Sequence, residues 1–188
     1  MSTGKGKTSA RTLLAATVFP IVLAACSLYP ARPPAPSLHD FGPAPASAGA
    51  AANAVAVDAP PWLRSDRLRY RLLHDDPTLV RAYALDAWLA PPPALLAQRL
   101  RAAAADTPYR LRLTLTDFEQ VFDSPAAARV VLHLQASAET ADGKPVDERP
   151  FRYALPCPSP DAKGAVTAYA AAVERAVQEL GQWLKTLP

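Results

Sequence analysis

Five arginines in two alternating runs are the side chains of this chain best suited to binding chemistry. Arg67, Arg69 and Arg71 occupy every second position of one segment, and Arg110 and Arg112 repeat that spacing in another. Guanidinium groups bind carboxylates and phosphates through two parallel hydrogen bonds. If the two segments are neighbouring strands, all five groups share one sheet face and form a candidate partner-binding site. The alternative is an exposed face on which the arginines pair with nearby carboxylates, which is the commoner arrangement.

Catalytic and metal-binding patterns are weak by comparison. The three histidines are His39, His74 and His133, and only the run His74-Asp75-Asp76 has a spacing that metal ligands use. That run is more simply a polar turn. The chain contains no glycine-rich nucleotide loop and no G-x-S-x-G nucleophile motif. We therefore expect a protein that is not an enzyme and that binds no metal or dissociable cofactor.

The amino-terminal segment has the pattern of a secretory signal. Its basic residues are Lys5, Lys7 and Arg11, and an uncharged apolar run follows from Leu13 to Ala25. This run is too short to span a bilayer stably. Its last residues, Leu23-Ala24-Ala25, directly precede Cys26, an order that resembles a bacterial lipobox.

The lipobox implies a lipid on Cys26. Diacylglyceryl transfer to the thiol, cleavage between Ala25 and Cys26, and acylation of the new amino group would leave the mature protein anchored by lipid. Ser27, rather than an aspartate, follows the cysteine, which favours the outer membrane. The alternatives are an ordinary signal peptide with a chance cysteine, or an uncleaved anchor.

Processing changes the meaning of the basic composition. The chain has 20 basic and 17 acidic residues, a net charge of +3. Residues 1–25 hold three basic and no acidic side chains, so their removal leaves equal numbers of each sign. The mature protein therefore lacks the excess positive charge that nucleic-acid binding requires. Cys157 is then the only free thiol, so no internal disulfide is expected, and we interpret it as a buried, unreactive side chain.

Composition divides the chain into three parts. We predict a lipoprotein signal peptide in residues 1–25, a lipidated cysteine with a Pro/Ala-rich tether in residues 26–53, and a single α/β periplasmic domain in residues 54–188. The tether has few apolar residues and therefore little surface to bury. Its one interruption, Leu38-His39-Asp40-Phe41-Gly42, could dock on the folded domain.

Alternating and helical periods predict the elements of that domain. Apolar and polar residues alternate in segments near 54–58, 67–72, 79–85, 109–116, 130–137 and 151–155, which indicates strands. A helix should follow the prolines at 91–93, and a longer one should be capped by Ser159 and present Val166, Tyr169 and Val173 to the core. We expect a mixed sheet of five or six strands with two main helices packed on one face.

The three tryptophans mark either interfaces or the core. Trp88, just before the first helix, and Trp183, on the last helix, are expected in the core. Trp62 precedes the arginine-rich strand, and an interface role remains open for it.

The segment from Ala59 to Leu100 resembles the ABC-type transport auxiliary lipoproteins, the paraquat-inducible C-type family of Gram-negative bacteria. The residues that carry the resemblance are Ala59-Pro60-Pro61-Trp62-Leu63, Leu68-Arg69-Tyr70-Arg71-Leu72, Tyr83, Trp88-Leu89-Ala90-Pro91-Pro92, Leu95-Leu96 and Gln98-Arg99-Leu100, with Phe41-Gly42 before the domain. The sequence departs from the family at Ala87, where an arginine would be expected.

This resemblance implies a lipid-anchored protein on the periplasmic face of the outer membrane. Its partner would be a periplasmic substrate-binding protein of the mammalian-cell-entry type, in an ABC system that moves phospholipid or other hydrophobic molecules. The implied fold is similar to the amino-terminal domain of TolB. A homo-oligomer is compatible with the resemblance, whereas a nucleic-acid partner is not expected.

Two other functions remain open at the level of sequence. The domain could itself bind a lipid or another small apolar molecule between its helices and sheet. It could instead be a structural envelope lipoprotein that contacts peptidoglycan or the Tol machinery. Fold similarity alone supports neither function.

Overall fold

The computed structural model describes residues 1–4, 34–43, 55–105 and 107–188. Residues 5–25 of the predicted signal peptide, the predicted cleavage site between Ala25 and Cys26, and most of the predicted tether lie outside these residues. Met1–Pro34 and Ala35–Pro188 are separate units, and the helices and strands of the described residues all belong to the second.

Seven strands of the described chain form one mixed sheet. Their bounds are β1 Ser37–His39, β2 Ala56–Asp58, β3 Arg67–Leu72, β4 Asp76–Trp88, β5 Arg110–Ser124, β6 Ala127–Glu139 and β7 Pro145–Pro156. The spatial order is β1-β4-β3-β5-β6-β7, and β2 also pairs with β5. β3–β4, β5–β6 and β6–β7 are antiparallel, whereas β1–β4, β2–β5 and β3–β5 are parallel.

Two helices cover one face of this sheet. They are α1 (Pro92–Leu100) and α2 (Ala162–Leu184), and 3-10 turns occur at Pro61–Leu63 and Arg101–Ala104. The predicted α/β class, with a mixed sheet and two main helices, is confirmed, and the sheet has one strand more than expected because β1 adds to its edge. In the described residues, no helix has the length and apolar character needed to cross a membrane. We call the other side of the sheet the open face.

Helix α2 begins later than the sequence pattern suggests. Its amino-terminal cap is Asp161, whose Oδ1 accepts a hydrogen bond of 2.7 Å from the backbone N–H of Gly164. Ser159, which we expected as the cap, instead donates to the same carboxylate at 2.7 Å. Gly164 is required here because a Cβ would lie 2.0 Å from the carbonyl oxygen of Ser159. The turn is therefore built around one aspartate.

The buried face of α2 includes Tyr169 and Val173, as expected, but most of its other members are alanines. Val166 and Val177 are only partly buried, whereas the alanines on the adjacent stripe are fully buried, namely Ala165, Ala168, Ala172 and Ala176. Small side chains let the helix lie close to the sheet. Tyr169 then stacks on Phe118 with ring centroids 4.0 Å apart. Val166 and Val177 consequently lie at the margin of the core.

The segment before the predicted domain docks on the sheet, as the sequence suggested. Ser37, Leu38 and His39 pair with Asp86, Ala87 and Trp88 of β4. Phe41 follows and is 5% exposed, with its ring 5.3 Å from that of Trp88 and 6.3 Å from that of Phe118.

A guanidinium holds the end of this docked segment against α1. Arg99 donates hydrogen bonds to the carbonyl oxygens of Phe41, Gly42 (2.8 Å) and Pro43 (3.0 Å). Gly42 adopts φ 81°, a conformation that residues with a Cβ rarely adopt. The chain therefore turns sharply where the arginine binds it.

Candidate interaction site on the open sheet face

The register of the sheet separates the five arginines into two groups. Arg71 lies opposite Val121 near the end of β5, whereas Arg112, near its start, lies opposite Ala56 of β2. Val121 follows Arg112 by nine positions of extended strand, which correspond to about 30 Å. The strands are neighbours, but their register does not bring the five guanidiniums together. The two groups are Arg67, Arg69 and Arg71 on β3, and Arg110 and Arg112 on β5.

Arg71 is held by a two-pronged ion pair. Its Nε lies 3.1 Å from Oε1 of Glu119, its Nη2 lies 3.1 Å from Oε2, and its Nη1 donates to the carbonyl oxygen of Pro77 at 2.7 Å. One side chain thereby links β3, β4 and β5. Arg112 forms a looser pair, 3.7 Å from Glu139, and is 73% exposed. The alternative of Arg–carboxylate pairs on a wet face therefore describes these two residues.

A cleft of about 500 Å³ opens on this face beside Arg71. Arg69 lies at its margin and donates from Nη1 to the backbone oxygen of Trp62 at 2.6 Å. The Trp62 side chain is 64% exposed, although tryptophan normally buries most of its surface. We call this feature the open-face cleft; it is lined by Trp62, Leu63, Arg69, Arg71, Val80, Thr116, Asp117, Phe118 and Glu119.

Two carboxylates give the cleft a mixed charge. The pairing of β5 with β6 is irregular between Leu115 and Asp117, and the strand turns Asp117 and Glu119 toward the cleft. Burial raises the pKa of Asp117, and the charge of Glu119 raises it further, while His133, whose Nδ1 lies 3.7 Å away, acts in the opposite direction. The sequence pattern did not indicate either carboxylate, because Asp117 and Glu119 fall on positions that are apolar up to Leu115 and the strand irregularity reverses the alternation there.

This arrangement suits binding to another polypeptide. Tryptophan and arginine are among the residue types that are enriched at the energetic centres of protein interfaces. Trp62 and Val80 supply apolar contact, and Arg69 and Asp117 supply hydrogen-bonding groups of opposite sign.

A second polar cluster lies buried on the helix-covered side. Gln120 is 0% exposed; its Oε1 accepts from the Tyr83 hydroxyl at 2.8 Å, and its Nε2 donates to the backbone oxygen of Asp161 at 3.2 Å and to Sγ of Cys157 at 3.5 Å. Burial raises the pKa of both Tyr83 and Cys157. These groups satisfy one another in the interior. The cluster therefore ties β4, β5 and the start of α2 together, and the hydrogen bond from Gln120 partly offsets the effect of burial on the pKa of Cys157.

The histidines take separate structural positions. His39 lies 2.8 Å from Asp86 between β1 and β4, and Nδ1 of His74 lies 3.3 Å from the carbonyl oxygen of Phe122. Within the described residues, no three metal-ligating side chains form a cluster. Cys26, the predicted lipidation site, is outside those residues.

Both tryptophans that we expected in the core lie there. Trp88 is 1% exposed between Phe41 and Tyr169. Trp183 is 2% exposed, and its Nε1 donates to Oδ2 of Asp147 at 2.8 Å. Trp62 is the one tryptophan on the surface, so it is the one that is available to a partner.

An open mixed sheet with two helices on one face also occurs in solved proteins. A Xanthomonas campestris protein, XCC0632, assigned to the family DUF330, matches with a TM-score of 0.62 and 22% identity over 81% of this chain and 95% of its own. An uncharacterized protein matches with a TM-score of 0.58 and 16% identity over 81% of this chain and 98% of its own. No family model and no curated protein matches the sequence. These similarities show a shared fold.

Proposed function

We propose that this protein is a non-enzymatic accessory lipoprotein of an ABC-type transport system for lipids or other hydrophobic molecules. Lipid on Cys26 anchors it to the periplasmic face of the outer membrane. Its folded domain binds a periplasmic substrate-binding protein of the mammalian-cell-entry type. Anchoring raises the local concentration of the binding surface, so that weak docking is sufficient.

The observation that carries the binding role is the open-face cleft. Trp62 exposes 64% of its surface beside Arg69, whose guanidinium is fixed by the backbone of that same tryptophan. A side chain that is held in place before binding loses less entropy when it binds. Glu119 neutralises Arg71, so the cleft presents an oriented mixture of charges rather than a basic patch. This composition favours a polypeptide over a membrane of uniform charge or a nucleic acid.

The anchoring role is supported by the sequence order around Cys26 and by the fold. A charged segment, an apolar run and small residues precede the cysteine, as in bacterial lipoproteins. The resemblance between residues 59 and 100 and the auxiliary lipoproteins supplies the transport system. The fold shared with the DUF330 protein is compatible with this assignment.

In-cell crosslinking tests the binding role directly. A photo-reactive amino acid replaces Trp62 in the tagged full chain, and the captured proteins are identified. We expect a mammalian-cell-entry-type protein to be captured, and capture to be lost with Arg69→Glu. Arg112→Glu is the matched control, because it reverses an arginine charge on the same face but outside the cleft. Arg112 lies seven positions, or about 23 Å, along β5 from Glu119, which is the β5 neighbour of Arg69.

The outcomes separate the proposed functions. Equal capture by the Arg69→Glu and Arg112→Glu variants would show that the cleft takes no part in the interaction. Capture of lipid alone would favour a lipid-binding domain, and capture of peptidoglycan or Tol components would favour a structural role. Loss of capture with Cys26→Ala is expected if the lipid anchor supplies the local concentration.

A further inference from the structure

We infer that the β1 edge of the sheet rests on the bilayer that holds the lipid anchor, through three exposed leucines and one arginine. This inference rests on the lipid anchor of the proposed function and adds an orientation to it. We call the three leucines, Leu38, Leu85 and Leu89, the leucine edge. Their side chains are 58%, 53% and 59% exposed, respectively.

The pairing of the strands places these leucines around one point. Leu38 of β1 lies opposite Ala87 of β4. Leu85 precedes Ala87 by two residues, in the stretch of β4 where the pairing with β3 shifts in register. Leu89 follows Ala87 by two residues, and its backbone N–H donates to the carbonyl oxygen of His39 at 2.7 Å. The three leucines are therefore exposed close to Ala87 at the β1 edge of the sheet.

A cationic side chain completes this surface. Arg67 of β3 lies opposite Ala87 on its other side, so that Leu38, Ala87 and Arg67 form a row across three strands. Arg67 is exposed, and the next residue, Leu68, is 0% exposed beneath the helices. An arginine beside exposed leucines suits the phosphates and acyl chains of a phospholipid surface.

The position of the tether identifies the bilayer as the occupant. Ser37 begins β1 and follows Cys26 by 11 positions, so even a fully extended chain holds Leu38 within ~40 Å of the anchored residue. The Phe41 ring and the Arg99 hydrogen bonds fix the segment after β1 to the domain. The tether therefore enters the folded domain beside Leu38, and under the proposed anchoring the bilayer always lies within ~40 Å of that residue.

Fluorescent labelling of the lipidated full chain tests this orientation. Leu85→Cys or Leu89→Cys, each in a Cys157→Ser background, is labelled with an environment-sensitive nitrobenzoxadiazole group. The protein is placed in vesicles of phosphatidylethanolamine and phosphatidylglycerol. Arg152→Cys is the matched control, because Arg152 is an exposed residue of β7, the opposite edge strand of the sheet.

We expect labels at 85 and 89 to shift their emission to shorter wavelength and to be quenched by nitroxide-bearing lipids. The label at 152 should respond only to an aqueous quencher. The inference is overturned if all three labels behave as the one at 152 does while mass spectrometry shows lipid on Cys26. Absence of lipid from Cys26 would overturn both the inference and the anchoring role. Lipid-quenched labels without capture of a transport protein would leave the orientation standing and remove the partner.

Discussion

Replacement of Phe41 measures whether the segment before the predicted domain belongs to the hydrophobic core. The ring is 5% exposed and lies within 5.3 Å of the Trp88 ring, in a cluster with Phe118. Phe→Ala changes in a core lower the free energy of unfolding by about 3–5 kcal/mol. Phe41 lies near the beginning of its unit, where the chain can adjust, so we expect about 3 kcal/mol for Phe41→Ala.

Urea denaturation of the non-lipidated Cys26→Ala chain gives this number. With a slope of about 2 kcal/mol per molar urea, the midpoint should fall by about 1.5 M while the slope stays unchanged. The melting temperature should fall by about 6–12 °C. Leu38→Ala, in the same segment but 58% exposed, is the control and should change stability by less than about 0.5 kcal/mol. Equal midpoints for the two variants would refute the docking of this segment.

Three further predictions concern the polar groups. Gln120→Leu should lower the free energy of unfolding by about 1–3 kcal/mol. Adding Tyr83→Phe to that variant should lower it little further, because the two side chains share one hydrogen bond. A double-mutant cycle in urea measures the coupling between the two changes. Burial raises the pKa of Asp117 above its ordinary 3.8, so the folded protein binds this proton more tightly than the unfolded chain does, and the free energy of unfolding falls as pH rises above 3.8. Asp117→Asn should flatten that part of the plot of stability against pH and increase stability at neutral pH. An unchanged plot would contradict the assignment. The raised pKa of Cys157 predicts slow alkylation in the folded chain and fast alkylation in urea, and a rapid reaction without denaturant would show that the thiol is accessible.

Periodicity predicted the presence of the strands better than their lengths. The alternation near residues 109–116 indicated a strand, and β5 in fact extends from Arg110 to Ser124. An irregularity between Leu115 and Asp117 shifts the alternation, so a fixed period of two loses the continuation. Similarly, β4 extends from Asp76 to Trp88, with a register shift in its pairing to β3. Irregular pairing of this kind is a property of two strands together and leaves no fixed mark on either one.

The arginine site shows why a surface is harder to predict than a strand. Alternation correctly predicted exposed positions for Arg67, Arg110 and Arg112, whereas Arg69 and Arg71 are partly buried. It carried no information about register, and register places Arg71 beside Val121 rather than beside Arg112. The same limit applies to α2, where the helical period correctly placed Tyr169 and Val173 in the core but did not distinguish the partly buried Val166 and Val177 from the buried alanines beside them. Long-range contacts decide both cases.

The docked segment shortens the part of the chain that separates Cys26 from the folded domain. A tether that ran freely from Cys26 to residue 54 would span up to ~100 Å and would leave the domain without a preferred orientation. Pairing at β1, burial of Phe41 and the hydrogen bonds of Arg99 attach the chain to the sheet edge at Ser37 instead. Under the proposed lipid anchor, the chain between Cys26 and Ser37 would span at most ~40 Å, and the lipid would hold the domain by one defined edge.

That edge lies three steps across the sheet from β5, which carries the carboxylates of the open-face cleft. With strands about 4.8 Å apart, Asp117 and Glu119 lie roughly 14 Å from β1 across the sheet, whereas Arg69 and Arg71 on β3 lie roughly 10 Å from it. The two surfaces therefore meet on β3, where Arg67 borders the leucine edge and Arg69, two residues farther along, borders the cleft. A domain held by its β1 edge would keep the cleft in a constant orientation relative to the bilayer, which a freely jointed anchor could not do.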